Sequence, residues 1–323
     1  MNRRIWMAAG AALVLSTALQ AQTVSKPMRI IVSFAPGGPV DFTARTIAEP
    51  LGRALGRTVI IENKPGANGA IGAAEVLRSE ADGSTVWITS VGAAAINPAL
   101  YEKLPYNPQK DFAPVSLVTN NVEVFVVNAK DAAREIPDFI AAANGGKGGV
   151  AVASSGRGSI PHLALAQMEL ATNVDFLHVP YNGLAPAITD VVGGRVDFMF
   201  APIAGPVPGF MENASLKSLA VSSIDVQPRF PKLPTMRSIK GFEDYVFNIW
   251  IGIQTGAKVS DAVAATLHKS AYAAMANPET KKALEATGSI VSPALSLAEV
   301  EAFYKRETAA YQAIAKAIKL SPQ

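Results

Sequence analysis

Two glycine-rich loops carry the residue types that could bind an anion. The first loop, residues 34–41, reads FAPGGPVD and follows an apolar run of β-branched residues. Where a strand leads into a helix through glycines, N–H groups at the helix start lack intrahelical partners and carry the positive end of the helix dipole. A carboxylate or phosphate therefore fits the backbone of Phe34, Ala35, Pro36, Gly37 and Gly38. The same arrangement is also the ordinary strand-to-helix connection of any α/β protein.

Asp41 stands in the first turn of the helix predicted after this loop. Its carboxylate either complements the helix dipole or contacts a ligand or an ordered water, and the sequence leaves both possibilities open.

The second loop, residues 154–159, reads SSGRGS and resembles the first in composition. Ser155, Gly158 and Ser159 are its candidate ligand contacts, although Ser159 also suits a helix N-cap. Arg157 either is solvated or pairs with a second carboxylate of a ligand. His162, in the following turn, is either a structural hydrogen-bonding residue or a ligand contact.

The two loops occur at equivalent places in a weak internal repeat. Residues 28–92 and 149–205 both read strand, helix, strand, helix, strand, and the strands are apolar without polar alternation. Such strands are typical of parallel sheets that helices cover on both faces. We expect an α/β fold like that of periplasmic binding proteins, with two doubly wound lobes joined by a two-crossing hinge.

Ligands of doubly wound sheets bind beyond the carboxyl ends of the strands. This rule adds Ser90, Tyr181 and Gly183 to the candidate ligand-binding residues, and it predicts that the loops of the two lobes face each other. His178, on a predicted buried strand, is expected to be a satisfied core residue.

Two apolar stretches, 122–128 and 246–253, are expected to be the crossings between the lobes. We predict a first lobe of residues 22–122 plus 250–323 and a second lobe of residues 123–249. Trp250 either packs the hinge or lines the cleft. Helices are predicted at 260–276 and 278–287, and Ser296 with Glu299 matches a capping box before a final helix. This helical tail is expected to pack on the first lobe.

Composition excludes several classes of protein. The chain has no cysteine, which excludes a disulfide framework, a thiolate metal site and lipoprotein acylation. The chain has 29 basic and 26 acidic residues. Without Arg3 and Arg4, which belong to the predicted signal peptide, 27 basic residues remain and the net charge is +1. A net charge so close to zero does not indicate nucleic-acid binding. The three histidines show no metal-binding spacing. We therefore expect no metal and no cofactor.

Residues 1–21 are typical of a secretory signal peptide. Arg3 and Arg4 precede an apolar run, and small residues surround Ala18 and Ala21. The run is shorter than the about 20 residues that a membrane-spanning helix needs. We expect cleavage near residues 18–22 and a periplasmic mature protein.

Enzyme motifs are missing from the sequence. It contains no G-x-S-x-G, no G-x-x-x-x-G-K-[ST], no G-x-G-x-x-G and no H-E-x-x-H motif. We therefore predict no catalytic residue and no enzymatic activity. A secreted serine hydrolase that uses Ser159 or Ser155 with His162 is a weaker alternative, suggested by their nearness in sequence alone.

The chain resembles the Bug-type receptors of the tripartite tricarboxylate transporter family over almost its whole length. The resemblance rests on IIVSFAPGGPVDFTAR, ENKPGANGAIGA, AINPALYEKLPYNPQKDFAPVS, SSGRGSIPHLALAQ, VPYNGLAPAITDVVGGRVDFMF, LKSLAVSS with LPTM, and IWIG. It implies a periplasmic solute-binding protein whose two lobes close on a small carboxylic acid, held through water at the two loops. The implied ligands are di- or tricarboxylates, acidic amino acids or aromatic acids.

The resemblance also implies roles for single residues and partners. Gly37, Gly38 and Asp41 would anchor the ligand in the first lobe, with Ser155, Gly158 and Ser159 as their counterpart and Ser90 and Tyr181 as lining residues. The protein would be a monomer that delivers its ligand to membrane permease subunits, or alternatively acts with a sensor protein in signalling. Two departures from the family pattern are Asn182, where a basic residue is common, and QTGAKVS after Ile253.

Overall fold

The computed structural model describes residues 26–130, 135–145, 149–227 and 229–317. The predicted signal peptide, residues 1–21, lies outside the described residues. The described strands are β1 (Met28–Val32), β2 (Val59–Asn63), β3 (Thr85–Ser90), β4 (Phe112–Asn128), β5 (Ala151–Ser154), β6 (Leu177–Pro180), β7 (Phe198–Pro202), β8 (Leu216–Val221) and β9 (Asn248–Gly256).

Ten α-helices accompany these strands within the described residues. They are α1 (Pro39–Leu55), α2 (Ala70–Arg78), α3 (Asn97–Leu100), α4 (Ile136–Gly145), α5 (Ile160–Thr172), α6 (Leu184–Val192), α7 (Val207–Glu212), α8 (Asp261–Ala276), α9 (Pro278–Ala286) and α10 (Leu297–Ala317).

The predicted internal repeat is confirmed. In the first lobe β1 pairs in parallel with both β2 and β3, and in the second lobe β5 pairs in parallel with both β6 and β7. Both units therefore place their first strand in the middle, and α1 and α5 connect that strand to one of its parallel neighbours. The loops that follow β1, β2, β5 and β6 lie at the carboxyl ends of these strands, where α/β proteins bind ligands.

The long strand β4 belongs to both lobes. Its residues up to Val122 pair with β9, whereas residues from Glu123 onward pair with β7 and β8. The sequence predicted only residues 122–128 of this strand. Residues 112–121 were missed because Pro114, Thr119 and Asn120 interrupt the apolar pattern, and the ladder tolerates them through two register shifts.

The return crossing lies just before β9. Phe247 donates its N–H to the carbonyl of Ser222, and the next residue starts β9, which pairs with β3 and with the first-lobe part of β4. Residues 246–253, predicted as a crossing, are therefore mostly a first-lobe strand. The proposed lobe boundaries, after residues 122 and 249, stay a prediction.

The helical tail packs on the first lobe, with α8 against α1 and with α8 and α10 against β4. Ser296 and Glu299 form the predicted capping box, in which each backbone N–H donates to the other residue's side chain, at 2.7 Å and 3.3 Å. Val300, Tyr304 and Tyr311 form the buried face of α10, as their spacing predicts. In the described part of the chain, no helix combines the length and apolarity that spanning a membrane requires.

Candidate functional site

A cleft of about 240 Å³ lies between the two lobes. Loops that follow β1, β2, β5 and β6 form most of its walls, as the rule for doubly wound sheets predicts. Its lining residues are Phe34, Pro65, Gly66, Ala67, Asn68, Gly69, Tyr101, Ser155, Gly156, Arg157, Pro180, Tyr181 and Asn182.

Four helices begin in or beside these loops. The N-cap residues are Gly38 for α1, Gly69 for α2, Ser159 for α5 and Gly183 for α6, and none of them makes a side-chain capping hydrogen bond. The helix starts keep backbone N–H groups that no side chain caps, and their dipoles place partial positive charge near the cleft. This arrangement favours an anion.

In the first loop, Asp41 holds the backbone of its own loop. It is 3% exposed and accepts hydrogen bonds from the Gly37 N–H at 3.0 Å, from the Asn63 amide at 2.8 Å and from the Arg45 guanidinium. Burial by itself would raise the pKa of Asp41, but the bonds from Arg45, Gly37 and Asn63 outweigh it and lower the pKa. The geometry gives Asp41 a role beyond the two left open by the sequence, that of a carboxylate that holds its own loop in shape.

The Gly37 N–H, predicted as part of the anion cradle, is therefore already occupied by Asp41. The backbone φ of Gly37 is +84°, a conformation that favours glycine. Arg45 and Asn63 were missed by the sequence reasoning. Asp41 and Arg45 are four residues apart on one helix, a spacing that predicts an ion pair. Asn63 had no such local signal, because it reaches the loop only when β1 and β2 are neighbours.

In the second loop, hydroxyl groups also bind their own backbone. Ser159 occupies the N-cap position of α5, as predicted, but its Oγ donates to the Gly156 carbonyl at 2.7 Å instead of accepting from the helix. The Gly158 N–H donates to Nδ1 of His162 at 2.9 Å. These bonds fix the shape of the loop before any ligand arrives.

His162 and His178 stack face to face behind the second loop. Their ring centroids are 4.1 Å apart and their planes differ by 8°. Since Nδ1 of His162 accepts a hydrogen bond, its proton lies on Nε2. Burial lowers the pKa of His162 to about 3, with help from His178 and Arg157, and burial together with Arg157 lowers that of His178 to about 4. His178 also bonds to Ser154 Oγ at 2.7 Å, as expected for a satisfied structural histidine.

The lobes touch across the cleft. The amide of Asn68 in the first lobe donates to the Gly158 carbonyl in the second lobe at 3.0 Å, and the same amide group donates to Asn97 Oδ1 at 2.8 Å. A Cβ placed on Gly183 would lie 3.6 Å from the Cβ of Ala35. Asn68 was not among the predicted site residues, although the rule that ligands bind beyond the carboxyl ends of the strands also points to the loop after β2, in which it lies.

Three predicted site residues, Phe34, Ser155 and Tyr181, line the cleft, and Ala35, Gly158 and Gly183 lie at contacts between the lobes. The Tyr181 hydroxyl donates to Asp190 at 2.7 Å, and burial and this bond raise the pKa of Tyr181 to about 12. Its ring, rather than its hydroxyl, is left for a ligand.

Five further predicted residues do not line the cleft. These five shape the two loops and are Pro36, Gly37, Gly38, Asp41 and Ser159. A sixth predicted residue, Ser90 at the end of β3, also lies outside the cleft, since it is 7% exposed and pairs with Ile251. Trp250 is fully buried against Phe303 and Tyr304, so it packs the first lobe. Among the residues that the structure describes, no group of histidine and acidic side chains is placed to hold a metal ion.

The chain matches a known family of transport receptors. A model described as "Tripartite tricarboxylate transporter family receptor" matches residues 43–320. A UPF0065 protein from the tcbD-tcbE intergenic region of a Pseudomonas species is 33% identical over 310 residues, which cover 94% of this chain and 91% of the relative. The protein BugT of Bordetella pertussis is 31% identical and covers 82% of this chain and 81% of its own.

Solved structures agree with this match. Periplasmic binding protein BugD has a TM-score of 0.86 at 28% identity, over 93% of this chain and 99% of its own. MatC of Rhodopseudomonas palustris, solved with bound malate, has a TM-score of 0.84 at 25% identity, over 90% and 98% of the two chains. A second R. palustris protein, solved with adipate, has a TM-score of 0.86 at 25% identity, over 93% of this chain and 99% of its own. The expected fold class is confirmed.

Proposed function

The chain belongs to the tripartite tricarboxylate transporter receptor family, and from this membership we propose that it captures a small carboxylic acid in the cleft between its lobes. The observation that carries the proposal is the set of four helices that begin in or beside the loops of this cleft, whose N-cap residues make no side-chain capping hydrogen bond. Backbone N–H groups and helix dipoles bind a carboxylate directly or through ordered water. The bound malate and adipate of two structural neighbours support this class of ligand.

Capture proceeds by hinge closure. The two lobes are connected through β4 and through the return to β9, so a rotation about these two crossings moves the second loop relative to the first. A carboxylate that contacts both loops binds the closed form more tightly than the open form and therefore shifts the population toward closure. The contact of Asn68 with Gly158 supports this proposal, since such a bond exists only when the lobes are together.

The mature protein works in the periplasm and hands its ligand to the permease of a tripartite tricarboxylate transporter. Family membership and the periplasmic neighbour BugD support this location and this partner. A signalling receptor would use the same cleft but present the closed form to a sensor protein. Capture experiments with membrane extracts, with and without ligand, distinguish a permease from a sensor.

The geometry does not favour the hydrolase alternative. The Ser159 hydroxyl donates to a carbonyl, and the His162 nitrogen that would accept its proton is bound to the Gly158 N–H. A nucleophile needs a base within hydrogen-bond reach that is free to take its proton. The family, moreover, is one of solute-binding receptors.

Thermal unfolding of ligand-stripped protein tests the proposed function. The panel contains mono-, di- and tricarboxylates, acidic amino acids and aromatic acids. A ligand that binds only the folded protein raises the free energy of unfolding by about 2.7 kcal/mol at a hundredfold excess over Kd. If no acid in the panel shifts the melting temperature, the proposed function is wrong.

A further inference from the structure

Arg157 is the one formally charged residue among the thirteen that line the cleft. Its side chain is exposed, and no acidic side chain of the described residues pairs with its guanidinium. Arg45, Arg195 and Arg229, in contrast, each have a carboxylate partner. Arg157 is therefore a cation in the cleft wall for which the described residues supply no carboxylate counter-ion.

The second loop holds Arg157 in a defined position. It stands between Gly156, with φ of +132°, and Gly158, with φ of +74°, so the backbone turns sharply on both sides of it. The bonds from Ser159 to Gly156 and from Gly158 to His162 fix these turns. A cation on a preorganised loop loses less conformational freedom when it binds than one on a mobile loop.

The positive charge of Arg157 also acts on its surroundings without a neutralising acid. After burial, which is the larger cause, this charge contributes to the lowered pKa values of His162 and His178. Burial raises the pKa of Tyr101, and the charge of Arg157 opposes this rise. Tyr101 lines the cleft from the first lobe. The guanidinium therefore lies within electrostatic reach of both walls.

We propose that Arg157 binds a second carboxylate of the ligand, so that the cleft selects dicarboxylates over monocarboxylates. This inference rests on the proposed function, in which the helix starts bind the first carboxylate. A guanidinium donates two parallel hydrogen bonds to a carboxylate, a geometry that a lysine ammonium does not reproduce. A monocarboxylate leaves Arg157 partly desolvated and unpaired when the lobes close, which lowers its affinity.

Matched acids test this selectivity. Adipate and hexanoate, and likewise succinate and butyrate, share a chain length and differ by one terminal carboxylate. Calorimetry with ligand-stripped wild-type protein is expected to give at least about tenfold tighter binding of each diacid than of its monoacid. In Arg157→Gln the diacids lose about tenfold or more in affinity, while the monoacids change by less than about threefold.

Two further variants separate pairing from general charge. Arg157→Lys keeps the charge without the two-pronged geometry and is expected to bind diacids with intermediate affinity. Arg237→Gln is the matched control, because Arg237 is an exposed arginine of the second lobe that does not line the cleft. It removes the same charge and is expected to bind like wild type. Melting curves of all variants check that they fold.

The outcomes distinguish the inference from the proposed function. If the wild type binds diacids and monoacids equally, or binds only monoacids, the role of Arg157 is wrong and carboxylate capture stands. If Arg157→Gln lowers the affinity for both acids of a pair equally, the role of Arg157 is likewise wrong and carboxylate capture stands. If the wild type binds none of the four acids and no acid of the wider panel, the proposed function fails and the inference falls with it.

Discussion

The side-chain amide of Asn68 donates a hydrogen bond to the carbonyl oxygen of Gly158 across the cleft, at 3.0 Å. The two residues are far apart in the chain and belong to different lobes. The other bond of this amide, to Asn97, orients it from within the first lobe. Asn68 is therefore a fixed donor on one lobe that bonds to an acceptor on the other. Under the proposed hinge closure, this bond forms only in the closed form.

Asn68→Asp is expected to weaken ligand binding about fivefold. The substitution removes the donor, and a net hydrogen bond contributes about 1 kcal/mol. Aspartate is the suitable replacement because Asn68 has φ of +45°, a region that Asn and Asp tolerate. Isothermal titration calorimetry with a bound acid measures the change.

Asn173→Asp is the matched control for this substitution. Asn173 is exposed, also has positive φ, and caps the end of α5 away from the cleft. Equal losses of affinity in the two variants would show that the change acts through charge or backbone and not through the bond to Gly158.

Gly158→Ala is expected to prevent full closure and to lower ligand affinity about fivefold or more, because overpacking at a tight contact costs about 1–3 kcal/mol. A Cβ at Gly158 would overlap the Leu100 side chain of the first lobe. Small-angle X-ray scattering is expected to show that a saturating acid no longer compacts the variant as it compacts the wild type.

Gly149→Ala and a second-site change serve as controls for Gly158→Ala. Gly149 has φ of +70° and open space around its Cβ position, so its substitution introduces the backbone strain without the overlap. Leu100→Ala combined with Gly158→Ala is expected to restore part of the affinity. No rescue would contradict the steric explanation.

Acid is expected to destabilise the ligand-free protein between about pH 6.5 and pH 3. His162 has a pKa of about 3 and His178 of about 4 in the folded protein, below the ordinary value of 6.5. The unfolded chain therefore binds more protons in this interval, and the stability that the neutral rings contribute is complete above pH 6.5 and lost as pH falls toward 3.

His162→Gln tests the assignment of this pH dependence. Glutamine keeps an acceptor for the Gly158 N–H but does not titrate. Melting temperatures measured from pH 7 to pH 4 are expected to fall less steeply in the variant than in the wild type. Parallel curves would assign the acid sensitivity to other groups, such as the carboxyl groups held by arginines.

Glu123→Leu is expected to raise the free energy of unfolding by about 1–3 kcal/mol at pH 7, since an unpaired buried polar group costs about that much. Glu123 is fully buried and neither carboxyl oxygen has a hydrogen-bond partner among the described residues. Burial raises its pKa well above 4.5. Its protonated form is thus favoured by folding, and the penalty grows as pH rises above 4.5.

Chemical denaturation of both proteins at pH 7 and at pH 4.5 measures this difference. The advantage of the variant should be smaller at the lower pH. Ser222→Ala, which removes a hydroxyl that bonds to the Glu123 N–H, is a neighbouring change that should destabilise the protein. A destabilised Glu123→Leu protein would indicate that the carboxyl group has a favourable role in the hinge.

The sequence predicted most of the elements but not how some loop side chains are used. Periodicity was enough for the repeat and for the capping box of Ser296 and Glu299, because both depend on local spacing. It could not show that Asp41 binds Gly37 and Asn63, since the latter contact exists only once β1 and β2 pair. The contact of Asn68 with Gly158 likewise depends on the relative position of two lobes.

Dependence on distant parts of the chain also explains why residues 112–121 of β4 were not predicted as strand. Local pattern favoured a short apolar strand, whereas β9 stabilises ten more residues, polar ones included, by pairing with them. Tertiary pairing overrides propensity in such a segment.

The position of β9 between β3 and β4 has a consequence for the order of folding. Both neighbours of β9 precede it by more than a hundred residues, so the sheet of the first lobe cannot be completed until the last quarter of the chain is available. Pairings between such distant segments slow folding, because the long intervening chain must be closed into a loop first. During synthesis, the second lobe has all its strands before the first lobe does, although the first lobe begins earlier in the sequence.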